Sequence, residues 1–343
     1  MESILAIDVG GGTQDILLYE PDKPIENCVQ LILPSQTVVV AGKIAQATVR
    51  GQGVFLHGKL MGGGACVSAI KKHLKQGFPV YATPQAAKTV ADDLDKVRSL
   101  GIELTEEQPG GSIAIEMGDV DLKTLAKSLE PYGVTLPKTV AVAVQDHGES
   151  IGMSNRLFRF KLWKEFCEAG GDIRNLLYQK VPSSLTRMAA AIEKLPGAYV
   201  MDTGAAAIWG ALCDPQVKQH QEEGLVVLNI GNQHTVGILL QGYRVWGLFE
   251  HHTGLLTQGK LLHYVAALQA KKLRNAEVYD DGGHGCYIHP DYVRGSGYKF
   301  VAVTGPRREL ARAGNYYMAV PFGDMMLAGS FGLIAAITSK NAT

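Results

Sequence analysis

Two segments of this chain share one pattern: an apolar run, a short turn containing glycine, and a second apolar run. They are "ILAIDVGGGTQDILLYE" (4–20) and "LVVLNIGNQHTVGILLQG" (225–242). Each reads as a β-hairpin, and a hairpin is stable only as part of a wider sheet with its faces covered. Covering elements are present around both. "MGGGACVSAIKKHLKQG" (61–77) and "LTQGKLLHYVAALQAKKL" (256–273) have helical periodicity, whereas "KTVAVAVQ" (138–145) and "YKFVAVTGP" (298–306) read as buried strands. "QTVVVAGKIAQATVRGQGVFLHG" (36–58) reads as two or three further β-branched strands, and 83–101 as one helix with Thr83 as N-cap and Gly101 past its end. The expectation is an α/β chain with two similar lobes. Its pattern breaks at Pro196 and Gly197. That places lobe I at 1–200, completed by a C-terminal helix over 325–343, and lobe II at 201–324.

The remaining composition narrows the class. Basic and acidic residues both number 33, so no net field draws the chain to nucleic acid or to an anionic membrane. The five cysteines, Cys28, Cys66, Cys167, Cys213 and Cys286, are scattered and form no CxxC, which fits reduced thiols in a cytoplasmic protein. The N-terminal apolar run has no basic flank and is broken by Asp8 and the glycines, so it reads as neither a signal peptide nor a membrane span.

Three consecutive glycines in the first turn admit two readings. Glycine supplies positive φ to a tight turn, which accounts for one or two of them. Gly10, Gly11 and Gly12 followed by Thr13 also leave backbone N–H groups uncovered, and such a nest binds anions. A strand-end carboxylate beside it, Asp8, suits the water shell of Mg²⁺.

Five stretches in this order resemble the actin-like ATPase superfamily, which includes actin, the heat-shock chaperone ATPases and the sugar kinases. "DVGGGTQD" is similar to the first phosphate loop and "MDTGAAAIWGAL" to the first connector. "VVLNIGNQHTVGILLQG" resembles the second phosphate loop, "FVAVTGP" the adenosine-side turn and "GDMMLAGSFGLIAAI" the second connecting helix. The resemblance implies an α/β fold of two ribonuclease-H-like lobes, mixed β-sheets flanked by helices, around a nucleotide cleft with ATP and Mg²⁺ as cofactors. It implies that Asp8 organises Mg²⁺ through water and that Gly10, Gly11, Gly12 and Thr13 cradle the β- and γ-phosphates. Gly231 and Asn232 would belong to the second loop and Gly305 to the adenosine turn. Asp202 falls where chaperone ATPases carry an acid beside the attacking water; a helix N-cap is the other reading of this residue.

This sequence departs from the superfamily in the second loop, where Asn229 replaces an aspartate and only Gly231 remains of a glycine run. The adenosine turn carries Gly305-Pro306 in place of a double glycine. Metal affinity or hydrolysis should suffer accordingly.

Further candidates keep two readings each. Gly62, Gly63 and Gly64 precede a helix and would bind a substrate anion or simply turn the chain. Asp146, with His147 and Glu149 in "QDHGES", is a catalytic acid or part of a polar turn. His234 would bind phosphate if protonated or be an exposed turn histidine. His251 and His252, and Asp280, Asp281, His284, Cys286 and His289, are of metal-ligating type without a recognised zinc spacing. Arg307, Arg308 and Arg312 would face nucleotide or solvent. Within the superfamily the chain resembles a group labelled as pyruvate formate-lyase activating enzymes, yet it lacks the CxxxCxxC that a radical activase requires. Three functions follow: an ATPase or small-molecule phosphotransferase, a non-hydrolysing nucleotide sensor or assembly protein, and an ATP-gated activator of another enzyme. The partners implied are nucleotide and an unknown small molecule or protein.

Overall fold

A computed structural model describes residues 2–341. β1 (Ile4–Val9), β2 (Thr13–Tyr19) and β3 (Val29–Pro34) form an antiparallel meander. The chain then builds a separate parallel sheet from β4 (Gly53–Gly58), β5 (Val80–Ala82), β6 (Ile102–Leu104) and β7 (Ser112–Met117), in the order β6-β5-β4-β7. It returns as β8 (Thr139–Val144) and β9 (Tyr199–Met201), which join the meander in parallel to give β3-β2-β1-β8-β9. The third sheet holds β10 (Leu225–Ile230), β11 (His234–Gln241), β12 (Arg244–His252), β13 (Gly285–Ile288), β14 (Val301–Thr304) and β15 (Tyr317–Met318). Its order is β13-β12-β11-β10-β14-β15, with β10, β14 and β15 parallel. Apart from the extra edge strand β13, both large sheets follow the same plan of three antiparallel neighbours continued by two parallel strands. This is the α/β fold of two ribonuclease-H-like lobes that characterises the actin-like ATPases.

The alternation of side chains along β1 explains how the first sheet is covered. Ile4 and Ala6 enter one core, and Leu5, Ile7 and Val9 enter the core on the other face. The first of these cores also takes Val227 and Ile238 from the third sheet and the apolar faces of two helices, Thr203–Ala211 and Ala328–Asn341. These helices cross at glycines: a Cβ on Gly210 would overlap the Ala328 carbonyl, and one on Gly332 the Ala206 carbonyl. A single core therefore joins the two large sheets.

Several local expectations change. Gln36–Val49 is a helix, because Thr37, Val40, Ile44 and Ala47 bury one stripe at helical spacing; the β-branched run Val38–Val40 outweighs that period when read alone. Residues 83–101 form two short helices, Pro84–Ala87 capped by Thr83 and Leu94–Ser99 capped by Asp93. The C-terminal helix starts at Ala328, since Asp324 accepts from Met326 N in a turn ahead of it, and residues 342 and 343 lie outside the described residues. Among the described residues, no helix is long and apolar enough to cross a membrane.

Candidate functional site

A cleft of about 310 Å³ opens where the two hairpin turns meet. One wall is Val9, Gly10 and Gly11; the facing wall is Asn229 and the segment Gly231–His234. The loop Gly62–Gly64 closes one side, and Gln145–Gly148, Arg159, Arg187 and Thr203–Gly204 are among the other lining residues.

The glycines of the first turn do not serve positive φ. Gly10, Gly11 and Gly12 all have ordinary backbone torsions. They permit proximity instead: a Cβ on Gly11 would lie 2.6 Å from Gln233 Cγ, and one on Gly12 would lie 3.2 Å from Asn232 Nδ2. The two hairpin turns thus face each other, and within the first the Gly10 N–H is taken up by Thr13 O at 2.8 Å. Gly305, at φ +98°, packs against Ile230 O at the end of β10 and is absent from the cleft lining.

Asp8 sits at the end of β1, beneath the lining, where its Oδ1 accepts from Thr203 Oγ1 at 2.6 Å. Burial pushes its carboxyl up to about 7 against that hydrogen bond. Its cross-strand partner Asp15 is pushed up to about 8 by burial and by the Asp8 charge, and Asp15 Oδ1 has no hydrogen-bond partner. Two crowded carboxylates with an unsatisfied buried oxygen form the oxygen-rich donor set that suits Mg²⁺.

Asp202 is placed differently from the expected water-orienting group. Oδ1 accepts from Gly204 N (2.9 Å) and Arg159 Nη2 (3.2 Å), and Oδ2 from Arg159 Nη1 (2.8 Å) and Asp146 N (3.4 Å). Those four donors occupy the lone-pair sites of a carboxylate. It caps the helix Thr203–Ala211 and is 6% exposed. Asp146 does line the cleft, with Oδ1 accepting from Gly148 N and Oδ2 from Met188 N, both at 2.8 Å; burial raises its carboxyl.

The network behind the cleft is built on residues that the sequence reading did not select. Arg159 donates Nε to both oxygens of Glu250 (2.8 and 2.7 Å) and Nη1 to Asp146 O (2.7 Å). Burial alone would raise Glu250, but the Arg159 guanidinium overrides it and holds the carboxyl well below the usual range. The available signal was the stripe Arg159, Trp163, Cys167 at i, i+4, i+8, which sets a cation on the buried face of the helix Asn155–Glu168. Arg187 makes a bidentate pair with Asp119 (both 2.8 Å) and donates to Gln145 O (2.7 Å). Its guanidinium packs against Gly62, where a Cβ would meet Nη2 at 2.5 Å, and Gly62 N donates to Asp119 Oδ1 at 3.0 Å. The Gly62 loop is therefore pinned to a half-buried cation at the cleft edge.

The histidine-rich segments lie side by side, with β12 paired to β13 and His251 Nε2 at 3.3 Å from Asp281 Oδ2, but their side chains do not all meet at one point. His284 is buried beside the cleft, but Asp281 turns to Lys260 (2.6 Å) and Tyr264 (3.1 Å), and Cys286 is buried against Leu273 O. His289 accepts from Asp291 N at Nδ1, and His251 Nδ1 contacts His252 O at 3.0 Å. Arg308 reaches Ala319 O and Arg312 pairs with exposed Glu309. The thiols of Cys28, Cys66, Cys213 and Cys286 each contact a main-chain carbonyl, and Cys66, Cys167 and Cys286 belong to three different cores. Such a donor set does not fit an iron–sulfur cluster within one chain.

The model of the family described as "Putative pyruvate format-lyase activating enzyme (DUF1786)" matches residues 61–310. No curated protein matches. Among solved structures, ethanolamine utilization protein EutJ from Carboxydothermus hydrogenoformans is similar at 11% identity and TM-score 0.33, over 98% of this chain and 90% of its own. The activator of 2-hydroxyisocaproyl-CoA dehydratase from Clostridium difficile, with bound ADPNP, matches at 9% identity and TM-score 0.34, over 99% and 98%. Component A of the (R)-2-hydroxyglutaryl-CoA dehydratase from Acidaminococcus fermentans matches at 10% identity and TM-score 0.34, over all of both chains. The fold assignment rests on the strand order of the two large sheets.

Proposed function

This chain belongs to that family, and we propose that it binds Mg²⁺-ATP between the two hairpin turns and acts as an ATPase or small-molecule phosphotransferase. The observation that carries this reading is the opposition of Gly11–Gly12 to Asn232–Gln233, with Asp8 and Thr203 directly beneath. When bound, the nucleotide supplies the transferable phosphoryl group and Mg²⁺ neutralises its charge. The Gly11–Gly12 backbone binds the phosphates, since the Gly10 N–H closes the turn onto Thr13 O. Asp8, held by Thr203, orients the metal's water shell from below. The Gly62–Gly64 loop, braced by Arg187, holds the acceptor, and Asp146 is the carboxylate that faces it. Catalysis then rests on positioning and charge more than on covalent chemistry.

A second reading, a nucleotide sensor with little turnover, is favoured by two observations. Asn229 brings no charge to the second loop, and Asp202 is saturated by four donors. Calorimetric titration with ATP, with and without Mg²⁺, tests the shared premise, and phosphate release on the same sample separates the two. We expect Mg²⁺-dependent binding that Asp8→Ala abolishes. Equal affinity in the variant would refute the role given to Asp8. Binding without release would select the sensor.

A further inference from the structure

Three histidines from distant parts of the sequence converge at the back of the cleft: His147 after β8, His234 at the start of β11, and His284 just before β13. One ring nitrogen from each lies within 4.8 Å of the others. His147 Nε2 and His284 Nε2 are 3.2 Å apart. Two imidazole nitrogens bound to one tetrahedral Zn²⁺ at its usual bond length are about 3.3 Å apart, so this pair already has ligand spacing.

Hydrogen bonding does not account for the arrangement. Both ring nitrogens of His234 and Nδ1 of His284 are buried without a partner, and His284 is 1% exposed. The nearest buried acid, Glu250, is occupied by Arg159, Gln145 and Trp163. One N–H to N contact satisfies His147 and His284 at most and leaves His234 stranded. The ring of His252 lies tilted against the cluster, its centroid 4.9 and 4.8 Å from those of His234 and His284.

We propose that His147, His234 and His284 hold a zinc-type divalent transition metal ion, distinct from the Mg²⁺ expected at Asp8, with its remaining coordination position open to the cleft that His147 and His234 line. Such an ion would place positive charge beside the second hairpin turn, where Asn229 carries none. It would take its fourth ligand, a water or a substrate oxygen, from the cavity.

The test is titration of chelator-treated, full-length protein with Co²⁺, a spectroscopic stand-in for Zn²⁺, without nucleotide present. We expect one equivalent to bind with the intense visible bands of four- or five-coordinate cobalt. His284→Ala and His147→Gln, checked for folding by circular dichroism, should each weaken this binding by at least about tenfold. Only the pale spectrum of six-coordinate aqua cobalt in the wild-type protein would overturn the site, as would intact bands in both variants. The wild-type spectrum decides even if a variant fails to fold.

Discussion

Replacing Arg159 by methionine keeps the length of the side chain and removes the one cation that serves both Glu250 and Asp202. Glu250 is 0% exposed and Asp202 6%, so neither carboxylate can turn to water when the cation goes. Breaking a buried pair by deleting one partner costs about 3–5 kcal/mol. The two carboxylates share one guanidinium, so the terms do not add fully, and we expect a total of about 5 kcal/mol. That is a third or more of a stability of roughly 5–15 kcal/mol. Urea unfolding followed by tryptophan fluorescence suits the measurement, because Trp163 lies 5.7 Å from the Arg159 guanidinium and donates to Glu250. The deficit should also depend on pH. In the native protein the Glu250 carboxyl is held below its ordinary value of 4.5, so the pair contributes fully above that value and is lost only as pH falls below it. Without Arg159, burial is left to raise Glu250; the folded variant then binds its proton more tightly than the unfolded chain and loses stability as pH rises from about 4.5 to 7. The deficit should therefore be smaller at pH 5 than at pH 7.5. Adding Glu250→Gln to the variant should recover at least about 2 kcal/mol. A deficit under about 1 kcal/mol, unchanged with pH, would refute the reasoning.

Two further outcomes are expected. Gly11→Val would push into Gln233, an exposed side chain able to move, so stability should stay within about 1 kcal/mol while ATP affinity falls more than about tenfold in calorimetry. Asp202→Asn should lower the unfolding free energy by about 2–4 kcal/mol, because Arg159 loses a charged partner and the helix Thr203–Ala211 part of its cap; a rate change without a stability change would return Asp202 to the chemistry.

The parts legible in the sequence were those carried by local periodicity and by glycine placement. Both hairpins and the buried strands β8 and β14 follow from apolar spacing, and the two crossing helices from the resemblance of their segments to connecting helices. The helix Gln36–Val49 did not, since three consecutive valines suggest a strand and only packing against the small parallel sheet reveals the helical stripe. The positions facing the cleft at Gly11, Gly62, Asp146 and His234 were recognisable as residue types that chemistry uses. Arg159, Glu250, Arg187 and Asp119 were not, because their charged partners are distant in sequence: 91 residues for Arg159 and Glu250, 43 for Arg159 and Asp202, and 68 for Arg187 and Asp119. The triple-histidine cluster is invisible for the same reason: His147 and His284 are 137 residues apart and carry no metal spacing in either local segment.

Hydrogen–deuterium exchange on the full chain, with and without Mg²⁺ and a non-hydrolysable ATP analogue, tests the central claim most directly. Nucleotide held between the two hairpin turns should slow exchange in both 9–13 and 229–235. Protection confined to other segments, or none at saturating nucleotide, would contradict it.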